Sequence, residues 1–342
     1  MRRVFTALAL IAGLAGAAGA QQIEAQRLFG SADAPAVEII STTDIEIFAP
    51  LIVAFVADNP AVAVNYTVTS TTELYRAYTE QQPEYDLAVS SAMDLQMKLA
   101  NDGYAARHSS ARIAQMPSWA KWRDHLFAFT QEPVVLVLSR SAFTGLTLPA
   151  TRDVLIRLLR ENPEHFRGRI GTYDPNKSGA GYLFATQDAR HSDTFWRLSE
   201  LIGGLDPVLY ASSGAMISDL QSGRIIVAYN VLGPYAEPRL QGWPDGQIVE
   251  LQDHTNVLLR TAFIPTHAAH PLLGAAFLDF LLSERGQRLL ASESGLPRID
   301  EAALSRQPHL RPIRLDPGLL VFVDPLKRSR FLSEWTAAVV QP

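Results

Sequence analysis

Residues 171–182, GTYDPNKSGAGY, combine one lysine, one serine and three glycines, the residue types from which phosphate-binding loops are built. A P-loop that hydrolyses nucleotides has the order GxxxxGK[ST], in which lysine and the hydroxyl residue follow the second glycine. Here Lys177 and Ser178 precede Gly179, so the order does not predict nucleotide hydrolysis. Asp174 and Pro175 predict a turn after a strand, and the small residues that follow let a backbone approach a ligand at a helix start. We therefore predict a loop that binds an anion without catalysis.

Four further polar loops occupy comparable positions, at the end of a predicted strand or the start of a predicted helix. Open α/β sheets bind ligands beyond the carboxyl ends of their strands, where helix N-termini present unpaired N–H groups. Serine and threonine also cap helices without any ligand, so each loop alone is equally compatible with capping. Five such loops together favour a binding site. The predicted ligand-binding residues are Ser41, Thr42, Thr43, Ser90, Ser91, Tyr173, Ser178, Gly179, Ser213, Gly214 and Asn230, with Tyr235 at the rim.

Two series of alternating strands and helices must position these loops. The first comprises strands at 36–40, 63–68 and 85–89 with helices from Ile45 and from Thr71, after a polar leader. The second comprises helices at 152–160, from about Ala180 and at 215–221, with strands at 169–173 and 224–228. Such alternation predicts α/β lobes with mostly parallel sheets.

Two long β-rich stretches connect the series. Residues 126–138 are interrupted by Glu132 and Pro133, which a central strand tolerates poorly, and residues 247–263 run back before a helix at 271–291. We expect two hinge crossings and a central ligand cleft. The predicted lobe 1 comprises residues 36–130 plus 258–342, and the predicted lobe 2 comprises residues 131–257.

The N-terminus has the pattern of a secretory signal peptide. Arg2 and Arg3 precede an apolar run, and small residues end at Ala20, which predicts cleavage after that residue and a periplasmic location. The chain contains no cysteine, which excludes disulfides, thiolate metal sites and a lipid-bearing cysteine anchor. Its formal net charge is −5, and no basic stripe indicates nucleic-acid binding.

Catalytic motifs are scarce. The sequence has no GxSxG, HExxH or GxGxxG motif, and its eight histidines are scattered. Asp253 and His254 are adjacent, but they fall in the return crossing, where a structural or hinge role is favoured over catalysis. The sequence predicts no enzyme activity, no cofactor and no metal ligands.

Several stretches resemble the iron(III)-type branch of ABC-transporter periplasmic solute-binding proteins. They are STTDIEIFAPLIVAF, YDLAVSSAMDLQMKLANDGYA, GTYDPNKSGAGYLFATQDAR, GRIIVAYNVLGPYA and AFLDFLLSERGQRLL, and the resemblance spans residues 37–296. It implies the type II periplasmic-binding-protein fold, in which two α/β lobes joined by two hinge strands close on a ligand.

The resemblance also implies the partners. A monomer would carry a small anionic solute, an organophosphate or a carboxylate, to an ABC permease or present it to a two-component sensor, as the phosphoglycerate-transport regulatory protein does. Iron binders of this branch use two adjacent tyrosines, whereas the matching stretch here holds Tyr229 and Tyr235, six positions apart. An Fe(III)-binding protein remains the alternative, and an exported enzyme is the alternative of another class.

Overall fold

The computed structural model describes residues 22–341, so the predicted signal peptide lies outside the described residues. Two seven-stranded sheets organise this part of the chain. The strands are β1 (Ile23–Phe29), β2 (Ala36–Ser41), β3 (Ala63–Thr69), β4 (Leu87–Ser90), β5 (Lys121–Trp122), β6 (Leu126–Ala128), β7 (Glu132–Ser139), β8 (Ile170–Tyr173), β9 (Val208–Tyr210), β10 (Val227–Leu232), β11 (Gly246–Val249), β12 (Thr255–Leu258), β13 (Thr261–Phe263) and β14 (Leu310–Pro312).

Helices cover both faces of the sheets. They are α1 (Ile45–Asp58), α2 (Thr71–Arg76), α3 (Met93–Asn101), α4 (Ala111–Gln115), α5 (Arg152–Glu161), α6 (Pro163–Phe166), α7 (Gly179–His191), α8 (Phe195–Gly203), α9 (Ser213–Gln221), α10 (Gly233–Gln241), α11 (Pro271–Leu281), α12 (Glu284–Ser292), α13 (Glu301–Arg306), α14 (Leu320–Val323) and α15 (Pro325–Val339). Hydroxyl side chains at Ser70, Thr151, Ser178, Ser212 and Ser283 cap α2, α5, α7, α9 and α12, which satisfies N–H groups that a helix start leaves unpaired.

Lobe 1 is built on the sheet β1-β3-β2-β4-β13-β6-β5. The strands β3, β2 and β4 run parallel, and β1 and β13 flank them in the antiparallel direction. Phe48 and Phe55 of α1 pack with Phe277 of α11 in a buried cluster against this sheet. The helices α11 and α12 contact α1, so the late helical region belongs to lobe 1.

Lobe 2 is built on the sheet β14-β12-β7-β10-β8-β9, with β11 also paired to β7. The strands β8, β9 and β10 are parallel, whereas β7 runs antiparallel to β10 and β12. Both sheets are therefore mixed, because the strands that continue from the crossings return in the opposite direction. The two-lobed α/β architecture predicted from the sequence is confirmed.

The two crossings lie side by side. Chain passes from β6 to β7 and returns from β12 to β13. The N–H of Phe129 donates to the carbonyl of Arg260 at 3.0 Å, and the N–H of Arg260 donates to Oγ1 of Thr130 at 3.1 Å. Glu132 and Pro133 begin β7 rather than interrupting it, since the carboxylate of Glu132 has a buried cationic partner that the sequence pattern did not reveal.

The C-terminal segment, residues 310–339, contacts lobe 2 over most of its length, although the sequence predicts that it belongs to lobe 1. The strand β14 pairs with β12, and α15 packs on α8. Its apolar side chains, among them Phe331 and Trp335, are buried against Tyr182 and Phe195 of lobe 2. One turn of this segment reaches lobe 1, because Val323 of α14 is buried with Ala92 and Leu95.

Candidate ligand-binding cleft

A cavity of about 300 Å³ lies between the two lobes. This size is at the lower end of the range for small-molecule sites. Seven of the twelve predicted site residues line it, together with residues that the sequence did not single out. The predicted residues at the cavity are Thr42, Ser91, Tyr173, Ser178, Ser213, Gly214 and Tyr235.

Lobe 1 contributes the loops after β2 and β4. Thr42 and Ser91 are coupled there, because Oγ1 of Thr42 accepts the N–H of Ser91 at 3.1 Å and lies 3.5 Å from its hydroxyl oxygen. Ser41 and Ser90 stand behind them, fully or almost fully buried, and accept N–H groups of Thr43 and Ala92. Ser41 and Ser90 therefore shape the loops, while Thr42 and Ser91 face the cavity.

Lobe 2 contributes the start of α9. The hydroxyl oxygen of Ser213 accepts the N–H of Leu232 at 3.0 Å and lies 2.6 Å from the Tyr173 hydroxyl. Ser212 caps the helix by accepting the N–H of Ala215, and Arg239 donates to the Gly214 carbonyl at 2.7 Å. The cavity thus meets the positive end of a helix dipole beside fixed hydroxyl groups, a combination that favours an oxyanion.

The loop at 174–178 positions the start of α7. Oγ of Ser178 accepts the N–H of Gly181 at 3.1 Å, and Lys177 is exposed, with its ammonium 3.4 Å from the Asp174 carboxylate. The N–H of Gly179 donates across the cleft to Oγ1 of Thr71 at 2.9 Å. Gly179 therefore joins the two lobes rather than lining the cavity, and its missing side chain allows this close approach.

Asn230 lies outside the cavity lining. Its backbone is in the left-handed region with a φ of 64°, and its side-chain amide donates to Asp188 at 2.9 Å. Asp188 is fully buried and also accepts from Arg152, Tyr229 and Asn256; His254 lies within hydrogen-bonding distance of it as well.

This Asp188 cluster is internal to lobe 2. Burial alone would raise the pKa of Asp188, but the Arg152 guanidinium and the hydrogen bonds hold it well below its usual range. Asp253 pairs with Arg152 at 3.0 Å. The structural role expected for Asp253 and His254 agrees with these contacts.

A buried ion pair at the crossings escaped the sequence analysis. Arg260 is 1% exposed and donates from Nε and Nη2 to the two carboxylate oxygens of Glu132, each at 2.8 Å. Its Nη1 donates to Oγ1 of Thr43 at 2.7 Å, which accounts for Thr43 being drawn away from the cavity. A partial signal existed, because Glu132 is the one charged residue of the predicted crossing 126–138 and Arg260 is the one arginine or lysine of the predicted crossing 247–263.

The cavity is not uniformly suited to anions. Glu24 and Asp44 line it on the lobe 1 side. Burial raises the pKa of both carboxyl groups, and Asp44 raises that of Glu24 further. Burial also raises the pKa of Tyr235 to about 12, so this side chain is a neutral phenol at pH 7. The cleft combines hydroxyl and N–H donors with two carboxyl groups that accept hydrogen bonds.

The two tyrosines considered for iron lie in different environments. Tyr229 is buried in the Asp188 cluster, where its hydroxyl donates to Asp188 and accepts from Nε of Arg152, whereas Tyr235 faces the cleft. Within residues 22–341, no three acidic or histidine side chains come together as a metal-binding group. In the same part of the chain, no helix is long and apolar enough to cross a membrane.

Comparison with known proteins gives consistent matches. The family model described as "Bacterial extracellular solute-binding protein" matches residues 39–294. The structure of the substrate-binding protein of an ABC transporter from Agrobacterium tumefaciens is 34% identical, with a TM-score of 0.88 over 93% of this chain and 99% of that chain. No curated protein matches the sequence.

Two more distant structures share the fold. Iron-bound HitA from Pseudomonas aeruginosa is 17% identical, with a TM-score of 0.69 over 89% of this chain and 99% of that one. AfuA from Actinobacillus pleuropneumoniae, with exogenous fructose-6-phosphate bound, is 16% identical, with a TM-score of 0.73 over 90% of this chain and 99% of that one. With two lobes, two crossings and a cleft lined from both sides, the chain belongs to the bacterial extracellular solute-binding proteins of ABC transporters and has the type II periplasmic-binding-protein fold.

Proposed function

We propose that the protein captures a small organic anion, an organophosphate or a carboxylate, in the cleft between its lobes and delivers it to an ABC permease. The observation that carries this proposal is the convergence of Thr42 and Ser91 from lobe 1 with Ser178 and Ser213 from lobe 2 on one cavity. Presentation of the loaded protein to a membrane sensor is the second outcome compatible with the same site. No chemical change of the solute is part of either role.

A solute that contacts both lobes binds the closed conformation more tightly than the open one. A ligand shifts a conformational equilibrium only through a difference in affinity between the two states. An oxyanion at the start of α9 gains donors from lobe 1 only when the lobes approach. The hydrogen bond between Thr71 and Gly179 supports closure from the protein side.

The carboxyl groups of Glu24 and Asp44 narrow the class of solute. A polyanion would face repulsion from these groups, whereas a solute with one anionic end and several hydroxyl or amine donors would find acceptors in them. The fructose-6-phosphate bound to AfuA has this division of groups. We therefore favour a hydroxylated or amino-substituted phosphate or carboxylate over a simple dianion.

Iron binding, as in HitA, remains the competing proposal. The position of Tyr229 within the Asp188 cluster favours the organic anion, because iron would need this phenol to abandon two buried charged partners. The two proposals predict different absorption spectra for the loaded protein, because a tyrosinate–Fe(III) complex absorbs visible light and a bound organic anion does not.

Thermal unfolding with a solute panel is the first test. The chain without the predicted signal peptide, residues 21–342, would be heated with phosphorylated sugars, phosphoglycerates, dicarboxylates, inorganic phosphate and Fe(III)-citrate. A solute that binds only the native state at 100 times its Kd stabilises it by about 2.7 kcal/mol. A higher midpoint with an organic anion and no colour supports the proposal. A higher midpoint only with iron, accompanied by a visible absorption band, overturns it.

Two further measurements test the remaining parts of the proposal. Mass spectrometry of the solute after incubation should recover it unchanged, and turnover would establish an enzyme instead. N-terminal sequencing of the protein recovered from the periplasm should begin at Gln21. An uncleaved N-terminus there would contradict export with removal of residues 1–20.

A further inference from the structure

A second concave surface lies on lobe 2, lined on one side by the C-terminal half of α7 and on the other by the chain from β14 onward. It encloses about 290 Å³, close to the volume of the cleft. Its polar lining consists of Gln187, Arg190, His191, Arg311, Arg314 and Asp316. None of these residues lines the cleft, so the two cavities are separate.

The lining carries an excess of positive charge. Among the described residues, none of the guanidinium groups of Arg190, Arg311 and Arg314 has a carboxylate oxygen within the 4.0 Å that defines an ion pair. Asp316, the one acidic residue of the lining, uses its carboxylate to accept the N–H of Gly318 at 2.7 Å. Three arginines without an ion-pair partner around one concavity repel each other, and a bound anion would offset this repulsion. Each guanidinium can bind an oxyanion through two parallel N–H donors.

Gln187 adds a hydrogen-bond donor to the same cavity. It is only 3% exposed and lines this cavity. Its side-chain amide has no hydrogen-bond partner among residues 22–341, whereas its neighbours on α7, Thr186 and Asp188, are both hydrogen-bonded. An oxyanion in the cavity would accept a hydrogen bond from this amide.

His191 connects the same cavity to the interior of the lobe. Burial and the neighbouring His254 lower the pKa of His191, and the centroids of the two rings lie 5.9 Å apart. Nε2 of His254 lies 3.3 Å from Oδ1 of Asp188. The positive charge of the cavity therefore comes from the arginines, while His191 is a neutral neighbour that extends the Asp188 cluster to the surface.

We propose that this surface is a second anion site, which takes a small oxyanion with at least two negative charges, such as a phosphate monoester or a polycarboxylate. Arg190 and Gln187 would bind it from α7, and Arg311 and Arg314 would bind it from the segment after β12. An anion held in this way fastens the C-terminal segment to lobe 2. The lining holds three arginines against one carboxylate, that of Asp316, whereas the cleft holds Lys177 against the two carboxyl groups of Glu24 and Asp44.

Calorimetric titration with inorganic phosphate and with citrate, each at concentrations up to about 1 mM, tests the proposal on residues 21–342. The test variant combines Arg311→Gln with Arg314→Gln. The matched control combines Arg157→Gln with Arg160→Gln, which removes two exposed arginines of α5 that have no ion pair among the described residues. We expect at least tenfold weaker binding of one probe in the test variant, and unchanged binding in the control and in Ser178→Ala.

These variants test the second anion site separately from the cleft. Loss of probe binding in Ser178→Ala together with normal binding in the arginine variant would assign the anion to the cleft and overturn the second site. If both arginine double variants bound the probe equally weakly, the loss of affinity would come from the change in net charge. This result would also overturn the second site. The side-chain amide signal of Gln187 in two-dimensional NMR gives a direct reading, since it should move on addition of the probe in the wild-type protein and in Ser178→Ala.

Discussion

The hydroxyl of Ser178 caps α7 and lines the cleft at the same time. Loss of the cap alone costs about 1 kcal/mol of stability. We predict that Ser178→Ala weakens solute affinity by more than this amount, whereas Ser283→Ala, which removes the comparable cap of α12, leaves affinity unchanged. Calorimetry and thermal unfolding of both variants make the comparison. Equal losses of stability with affinity intact would restrict Ser178 to capping.

Asp188 holds Arg152, which is 3% exposed. Removing the charge from one side of a buried pair typically costs about 3–5 kcal/mol, because the other charge is left uncompensated. We predict a loss of this size for Asp188→Asn in urea unfolding at pH 7. Asp253→Asn is the control, since this carboxylate is partly exposed and binds the same arginine, and its loss should be clearly smaller.

Asp94 should make the stability of the protein depend on pH. Burial raises its pKa from 3.8 to about 6, so the folded state binds its proton more tightly than the unfolded state does. The stability from this group is present below about pH 4 and is lost as the pH rises through about 6, by on the order of 2–3 kcal/mol. The stability difference between Asp94→Asn and the wild type should therefore grow in favour of the variant across this interval. A difference independent of pH would show that the pKa of Asp94 is the same in the folded and the unfolded state, which would contradict the prediction.

At the scale of elements, the start of α7 is a place where the two lobes are in direct contact. A Cβ at Gly179 would lie 2.9 Å from Oγ1 of Thr71 and 3.1 Å from Cδ1 of Leu95, both in lobe 1. Alanine has a higher helix propensity than glycine, so the change should not lower the stability of lobe 2 itself. We predict that Gly179→Ala holds the lobes apart, enlarges the radius of gyration in X-ray scattering and weakens solute binding.

Gly242→Ala is the matched control, because a Cβ there meets no atom within 4 Å and the residue has a negative φ of −95°. Scattering curves for this variant and the wild type should superimpose. If Gly179→Ala had the radius of gyration and the solute affinity of the wild type, the side chains of Thr71 and Leu95 would be able to move aside for the new Cβ, and the prediction would be wrong.

The alternating elements could be predicted because their buried faces produce clear periodicity, as in α1 and β3. The strand β1 could not, since six of its seven residues are exposed and it gains its hydrogen bonds from the edge of β3. The helix expected at 271–291 is divided at Leu282 and Ser283, where a serine cap starts α12 within a continuous helical pattern. The pairing of β1 at the sheet edge and the serine cap between α11 and α12 depend on contacts with other parts of the fold. The periodicity of a short stretch of sequence does not reveal such contacts.

The same limit applies to the site. Position at the end of a strand or at the start of a helix selects Thr42, Ser91 and Ser213, and all three line the cavity. It did not distinguish them from Asn230, whose amide is turned to Asp188, because the direction of a side chain depends on partners far away in the sequence. The bidentate pair of Arg260 with Glu132 joins residues 128 positions apart, so only the fold brings it into view.

At the scale of the whole molecule, the C-terminal segment links the lobes in addition to the two crossings and the contact at Gly179. Val323 packs on Ala92 and Leu95 of lobe 1, and Arg328 lies 4.3 Å above the ring of Tyr182 in lobe 2. We predict that Val323→Ala enlarges the radius of gyration and weakens solute binding, because the truncated side chain loses most of its contact with lobe 1. Val321→Ala on the same short helix α14 is the control, since Val321 is 41% exposed; an equal effect of both changes would contradict the link.

The route of the chain through its two sheets also determines when each sheet can be completed. Lobe 1 lacks the strand between β4 and β6 until residues 261–263 are available, and lobe 2 lacks its edge until residues 310–312 are available. A chain made from its N-terminus therefore carries at least one incomplete sheet until residues 310–312 have been added. Contacts between residues so distant in sequence form slowly, so the closing strands β13 and β14 delay the completion of both sheets.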